Sequence, residues 1–244
     1  MSECAFKICD GSGFLYDEET NTAHDCRCRP QIVARNKARG LSAVIPVRYR
    51  DIGFDRFPVT EIEPRKTVEA TRHYASRIQD KLDAGSGLSF VGPIGTGKTT
   101  LAMLVTKSAL EAGRTAARYS LPGLLSEIRK TFDSGLHNDL LAQLTAVDLL
   151  HIDDIGAEQT TPWVLEELYS IVNARYEDQR SMVITTNITD RAALREQISE
   201  RTVSRLTEMC EELWVAGDDN RQDTWRTGSD PRTDRPVTQA EPRR

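Results

Sequence analysis

Apolar residues in the middle of the chain alternate between short continuous runs and longer stretches with helical spacing. The short runs predict buried strands at 88–92, 115–119, 147–152, 181–186 and 212–216. The stretches between them place apolar residues three or four positions apart and predict helices at 99–112, 121–133, 162–179, 190–197 and 200–209. Alternation of strand and helix is typical of a parallel sheet with helices on both faces. We therefore predict an α/β fold with a five-stranded parallel sheet.

The sequence on either side of this alternation is less regular. A helix is predicted after Pro64 and ends at Gly85, because four apolar residues recur there at helical spacing, namely Val68, Ala75, Ile78 and Leu82. A short basic helix is predicted over 30–40, and 43–64 is predicted to be irregular because it contains three prolines. We expect three parts: a cysteine-rich segment at 1–40, the main domain at 41–217 and a polar, disordered tail at 218–244.

Charge adds little at the level of the whole molecule. The net charge is −5, with 28% charged residues, so a general attraction to nucleic acid is not implied. Residues 27–50 nevertheless contain seven Arg or Lys and no Asp or Glu, which fits either a solvated basic face or contact with DNA or RNA phosphates. No apolar run is long enough to span a membrane and the first residues do not resemble a secretory signal, so we expect a cytoplasmic protein.

A phosphate-binding loop follows the first predicted strand of the sheet. Its residues fit the pattern G-x-x-x-x-G-K-[ST] and are Gly92, Pro93, Ile94, Gly95, Thr96, Gly97, Lys98 and Thr99. Glycines let backbone N–H groups surround the β-phosphate at a helix N-terminus, where the partial charge is positive. We expect Lys98 to reach the β- and γ-phosphates and Thr99 to bind Mg²⁺. Thr100, the next residue, is also predicted to contact ATP.

A second acidic motif lies at the end of the predicted strand 147–152. Asp153 and Asp154 follow an apolar run, as expected of a parallel strand that delivers carboxylates to its carboxyl end. This segment looks like a Walker B strand, in which Asp153 would hold Mg²⁺ and Asp154 would orient or deprotonate the attacking water. Many proteins of this type carry Glu at the second position, so the shorter Asp154 predicts slow hydrolysis of ATP, stimulated by single-stranded DNA or a partner.

Four of the five cysteines lie within the first 28 residues: Cys4, Cys9, Cys26 and Cys28. In a reducing compartment such a cluster favours a metal over disulfides, and four thiolates suit tetrahedral Zn²⁺. The uneven spacing keeps His24 open as a substitute ligand, and unligated thiols or a disulfide are the alternatives to zinc. Cys210, which stands alone in a helical pattern, is predicted to be a core thiol rather than a nucleophile.

These motifs together resemble the AAA+ helicase-loader family, the DnaC and DnaI proteins together with the transposon ATPase IstB, over roughly residues 44–221. Residues 45–51 look like the segment that closes over adenine, which implies a contact from Tyr49. Residues 184–187 resemble the sensor 1 strand, which places Asn187 where it would hold the attacking water or sense the γ-phosphate. Residues 200–206 are similar to the arginine-finger box with Arg205 at the matching position, and residues 217–221 resemble the segment that carries a sensor 2 arginine, here Arg221.

The resemblance implies an AAA+ P-loop ATPase that delivers a hexameric replicative DNA helicase onto single-stranded DNA. An arginine finger acts in trans, so self-association in a head-to-tail spiral is implied. A cysteine cluster ahead of the ATPase domain resembles that of DnaC-type loaders, whereas the IstB type generally lacks such a cluster. In DnaC-type loaders the N-terminal region binds the helicase. Two alternatives are a transposition-helper ATPase that binds duplex DNA and an ATP-gated DNA or protein clamp with little turnover.

Overall fold

A five-stranded parallel sheet forms the centre of the protein. The structure is a computed structural model, and it describes residues 4, 6–17, 22–29, 45–132, 136–156, 160–217, 219, 229–230 and 235–236. The strands of the sheet are β3 (Gly87–Val91), β4 (Ala116–Ser120), β5 (Leu149–Asp153), β6 (Ser181–Thr186) and β7 (Cys210–Trp214). Their spatial order is β4-β5-β6-β3-β7, and every neighbouring pair is parallel. The predicted fold class is therefore confirmed.

Helices cover both faces of this sheet. In chain order they are α1 (Arg65–Ser76), α2 (Ile78–Asp83), α3 (Lys98–Glu111), α4 (Leu121–Phe132), α5 (His137–Ala146), α6 (Pro162–Glu177), α7 (Arg191–Ile198) and α8 (Glu200–Met209). One buried apolar cluster joins α1, α2 and α3 to one face, and a second joins α4, α5, α6, α7 and α8 to the other. Each fully buried Leu, Ile or Val stabilises such a layer by about 1.5–3 kcal/mol.

Alternation along the strands decides which side chains face each layer. On β5, Leu150 and Ile152 belong to the cluster under α4 and α6. His151 points the other way, since its Nδ1 lies 3.0 Å from the Thr106 hydroxyl of α3. Asp153, two residues further along, shares the α3 face because side chains alternate with a period of two. The strand therefore delivers this carboxylate to the layer that contains the start of α3.

Three elements differ from those predicted. The helix predicted from Pro64 to Gly85 is broken at Arg77, whose φ of −113° and ψ of 28° are not helical, into α1 and α2. Helix α5 was not predicted, although Leu140 and Leu144 lie one turn apart within it. An antiparallel hairpin, β1 (Phe14–Asp17) with β2 (Thr22–Asp25), lies inside the cysteine-rich segment.

Several predictions concern parts of the chain outside the described residues, among them the whole of the basic helix predicted over 30–40. The irregular stretch 43–64 contains, in its described part, two short 3₁₀ turns at Val47–Tyr49 and Val59–Glu61. Most of 218–244 also lies outside the described residues, although two-residue strands β8 (Ser229–Asp230) and β9 (Arg235–Pro236) pair there. Among the helices described, none is both long and apolar enough to cross a membrane.

Candidate nucleotide-binding site and cysteine cluster

The loop between β3 and α3 has a backbone that only glycine accommodates easily. Gly95 and Gly97 have φ values of +81° and +99°, and Gly97 is the N-cap of α3. A Cβ on Gly92 would lie 1.9 Å from the carbonyl oxygen of Val215, so the loop passes directly against the chain after β7. This geometry, at the N-terminus of a 14-residue helix, suits the phosphates of a nucleotide. The residues present therefore fit ATP.

Lys98 lies folded against this loop. Its ammonium nitrogen donates to the carbonyl oxygens of Gly92 at 2.8 Å and Pro93 at 2.6 Å, and the side chain is buried. The Thr96 hydroxyl, also buried, donates to the Pro93 oxygen at 2.9 Å and braces the same turn. Ile94 is exposed at the tip of the loop, and Thr100 is partly buried in the first turn of α3. The lysine is thus held beside the loop at the start of α3.

Asp153 receives hydrogen bonds on both carboxylate oxygens. The Thr185 and Thr99 hydroxyls donate to Oδ1 at 2.7 and 3.0 Å, and the Arg118 guanidinium donates to Oδ2 at 2.9 Å. Burial works to raise the pKa of Asp153, but interactions with His151 and the two threonine hydroxyls outweigh it and lower the pKa. An ionised carboxylate beside a threonine hydroxyl is a pair of oxygen ligands that Mg²⁺ accepts. The geometry therefore fits a magnesium ion shared by Thr99 and Asp153.

Asp154 and Asn187 end neighbouring strands at this same edge. Asp154 has a φ of +58°, its side chain is exposed, and its backbone N–H donates to the Thr185 hydroxyl at 2.9 Å. Asn187 directly follows β6, which lies between β3 and β5 in the sheet, and it is partly buried. Because carboxyl ends of parallel strands share one edge, both residues lie at the edge of the sheet from which the phosphate-binding loop leaves β3.

Arg205 lies away from this edge. Its guanidinium carbon is 4.1 Å from the centre of the Tyr176 ring, and the Tyr176 hydroxyl donates to Glu208 at 2.6 Å. Tyr176 is in the last turn of α6, which leads into the start of β6, so this stack lies toward the amino-terminal edge of the sheet. The phosphate-binding loop follows the opposite edge. Arg205 is therefore not part of the loop in its own chain.

The two remaining predicted nucleotide contacts have different outcomes. Tyr49 is partly buried against the apolar layer that contains α3, and the segment after it is tied to α3 because Lys107 donates to the carbonyl oxygens of Arg50 and Ile52. Arg221 lies outside the described residues. Asp219, two residues earlier, is described, and its side chain lies directly against Gly95 of the loop.

The four N-terminal cysteines come together in space. The sulfurs of Cys4, Cys9, Cys26 and Cys28 all lie within 4.8 Å of one another, with 3.9 Å between Cys4 and Cys26 and 3.5 Å between Cys9 and Cys28. Tetrahedral Zn²⁺ with Zn–S bonds of about 2.3 Å needs sulfurs about 3.8 Å apart. The cluster therefore fits zinc. His24 is outside this group. It is exposed on β2, and its Nε2 forms a hydrogen bond with the Thr22 hydroxyl at 3.2 Å.

Two features of these sites were missed in the sequence. Arg118 was not selected, because an arginine inside an alternating strand looks like an exposed side chain until the neighbouring strand is known. Thr185, which bridges Asp153 and the Asp154 backbone, was seen only as part of the strand before Asn187. The predicted core thiol does lie in the core: Cys210 is buried, and burial raises its pKa to about 12.

A phosphate-binding loop after β3, paired acids at the carboxyl end of β5 and strand β6 between these two strands define a P-loop ATPase of the AAA+ class. Residues 68–227 match the family described as "IstB-like ATP binding protein", and the chain belongs to this family. Membership supports binding of ATP and ATPase activity in general.

Three individual comparisons agree with this assignment. The chain is 28% identical to the replicative helicase loader DnaC of Buchnera aphidicola over 193 residues, which cover 75% of this chain and 76% of that protein. It is 28% identical to the phage-like element PBSX protein XkdC of Bacillus subtilis over 207 residues, covering 78% of this chain and 73% of XkdC. A crystal structure of the DnaC helicase loader superimposes with a TM-score of 0.62 at 26% identity, covering 70% of this chain and all of that one.

Proposed function

We propose that this protein is an ATP-dependent helicase loader that delivers a hexameric replicative DNA helicase onto single-stranded DNA. The observation that carries the proposal is the contact between Thr99, which follows the phosphate-binding loop, and Asp153 at the carboxyl end of β5. This site occurs in a chain whose similarity to DnaC loaders extends across three quarters of its length. The predicted division into a cysteine-rich segment at 1–40, an ATPase domain at 41–217 and a tail at 218–244 is part of this proposal.

ATP binds at the loop after β3 in this proposal. Lys98 turns from the Gly92 and Pro93 oxygens toward the β- and γ-phosphates, which offer it charge-assisted hydrogen bonds. Thr99 and Asp153 hold Mg²⁺, which neutralises charge on those phosphates when bound. Tyr49 packs near the base, and Arg221 contacts the phosphates from the segment after β7.

Hydrolysis depends on the two residues that end β5 and β6. Asp154, exposed at the edge, orients or deprotonates the attacking water, and Asn187 holds that water or senses the γ-phosphate. The side chain of Asp is one methylene shorter than that of Glu, so its carboxylate reaches less far toward the attacking water. This supports a slow basal rate of hydrolysis that increases when single-stranded DNA or a partner orders the site.

Arg205 completes the site of a neighbouring subunit. Its stack on Tyr176, away from the loop of its own chain, supports action in trans and therefore a head-to-tail spiral. ATP then acts as an assembly ligand as well as a fuel, since its γ-phosphate lies where two subunits meet.

Single-stranded DNA is the nucleic-acid partner in this proposal. A group of aromatic side chains supports it: the exposed Phe132 stacks on the half-buried His137 with ring centres 4.5 Å apart, and the guanidinium of Arg129 lies 4.5 Å above the ring of the half-buried Trp163. Phe132 and Trp163 are themselves 6.1 Å apart. Aromatic rings with a cation beside them are the usual platform for unpaired bases.

Zinc bound by the four cysteines organises the N-terminal segment. In the described part of this segment the buried apolar cluster consists of the cysteines themselves, so a metal is needed to hold its shape. This segment is proposed to bind the helicase.

A loading assay tests the function directly. A hexameric replicative helicase is mixed with circular single-stranded DNA, which has no end to thread, and the helicase bound to the circle is measured with and without this protein and ATP. We expect loading that requires both. Lys98→Ala, which removes two charge-assisted contacts to phosphate, should bind ATP about 100-fold more weakly and fail to load. Helicase on the circle that is independent of the protein contradicts the proposal.

A transposition-helper ATPase is the second candidate, because the matching family is IstB-like. It predicts tighter binding to duplex than to single-stranded DNA and no capture of helicase. Fluorescence anisotropy with duplex and single-stranded oligonucleotides of equal length, in the presence of ATP, separates the two functions.

A further inference from the structure

Arg118 of β4 reaches the carboxylate of Asp153 from the strand next to β5. Strands β4 and β5 are parallel and in register, with Arg118 opposite His151 and Ser120 opposite Asp153. Arg118 therefore lies on the same face of the sheet as Asp153, toward α3. Its guanidinium donates to Asp153 Oδ2 at 2.9 Å, and its side chain is 28% exposed while that of Asp153 is 6% exposed.

The two oxygens of Asp153 are thus divided between different donors. Oδ1 accepts from the hydroxyls of Thr99 and Thr185, and Oδ2 accepts from Arg118. A guanidinium brings a full positive charge to the carboxylate that is proposed to hold Mg²⁺. A magnesium ion bound to Asp153 would lie close to the Arg118 guanidinium. These two cations would repel each other strongly, because the surrounding protein screens charge far less than water does.

We propose that Arg118 is a positioning residue that occupies the place of the magnesium charge at Asp153 in the nucleotide-free chain and releases this carboxylate when Mg²⁺ and nucleotide bind. The proposal rests on the proposed binding of Mg²⁺–ATP at this loop. Before binding, the hydrogen bond from Arg118 holds the carboxylate in its orientation. On binding, the partly exposed guanidinium moves toward solvent, so the ion pair and the metal compete.

The test measures how nucleotide binding depends on magnesium. A fluorescent ATP analogue is titrated into the full chain at a series of Mg²⁺ concentrations, and the melting temperature is recorded without ligand. Arg118→Met and Arg118→Gln remove the charge, and Arg118→Lys keeps it. Arg72→Met is the matched control, since Arg72 pairs with Asp55 at 2.7 Å on the surface and, like Arg118, has a buried Nε without a hydrogen-bond partner.

We expect the Mg²⁺ concentration at half-maximal binding to fall about tenfold in the Met and Gln variants, because the competing cation is gone. The Lys variant should stay within about threefold of wild type, and the Arg72 control should match wild type. The unliganded Met and Gln variants should also melt at a lower temperature, since Asp153 is left buried and unpaired with a cation.

Two results overturn the inference. An unchanged Mg²⁺ requirement with a lower melting temperature means that the ion pair only stabilises the fold. Weaker nucleotide binding in the absence of Mg²⁺ means that Arg118 is a direct nucleotide ligand instead. Failure of the wild-type chain to bind the analogue at any Mg²⁺ concentration refutes the proposed function itself, so the two failures are distinguishable.

Discussion

A buried arginine joins the two strands whose ends carry the candidate acids and Asn187. Arg175 of α6 is fully buried, and its guanidinium donates to five backbone carbonyl oxygens, those of Leu144, Thr145, Val147, Asp148 and Ser181. These carbonyls belong to the end of α5, the approach to β5 and the first residue of β6. We predict that replacement of Arg175 by Leu strongly destabilises the ATPase domain.

The magnitude follows from the carbonyls left behind. Three of the five bonds, those to Leu144, Val147 and Ser181, are buried, and each unsatisfied buried acceptor costs about 1–3 kcal/mol. Removal of the buried charge recovers part of this, because its desolvation cost disappears. We therefore expect a net loss of about 4 kcal/mol, which corresponds to a fall in melting temperature of about 8–16 °C for a domain of this size.

Urea and thermal denaturation measured by circular dichroism give the assay. Arg180→Leu is the control, because the Arg180 side chain is 36% exposed and pairs with Asp148 at 3.3 Å, so its loss should cost at most about 1 kcal/mol. If Arg175→Leu is no more destabilising than Arg180→Leu, the carbonyl contacts contribute little and the reasoning is refuted. ATP binding at low temperature should persist in both variants.

Three further predictions concern the proposed chemistry. Asp154→Asn should retain ATP affinity and lose about 10²–10⁴-fold in turnover, because a base acts on the transition state; calorimetry and phosphate release measure the two, and surviving turnover contradicts the assignment. Arg205→Ala and Lys98→Ala should each be inactive alone but regain activity when mixed, since a finger worth about 10³–10⁵ in rate is supplied in trans; an inactive mixture at all concentrations argues for action in cis. Metal analysis should find about one zinc per chain, and chelation should disorder the N-terminus without changing the melting temperature of the ATPase domain; zinc near zero under reducing conditions refutes the site.

The fold class and the phosphate-binding loop were predictable because their signals are local. A buried strand needs a continuous apolar run, and the loop needs glycines at set positions before a lysine, so both are visible in a few consecutive residues. Helix α5 was missed because only Leu144 of its residues is fully buried, which leaves a weak apolar stripe. The break between α1 and α2 at Arg77 was not predicted, because no Gly or Pro lies beside Arg77 to indicate the end of a helix.

The sequence by itself was enough to select the residues that are proposed to carry the chemistry: the loop glycines, Lys98, the paired acids and the four cysteines. Only the tertiary structure decided what these residues contact, since partners far apart in the chain meet through strand order and register. The placement of β6 between β3 and β5 brings Thr185 onto Asp153, and the register of β4 with β5 brings Arg118 onto the same carboxylate. Such pairings depend on which strands become neighbours, and local composition does not encode that choice.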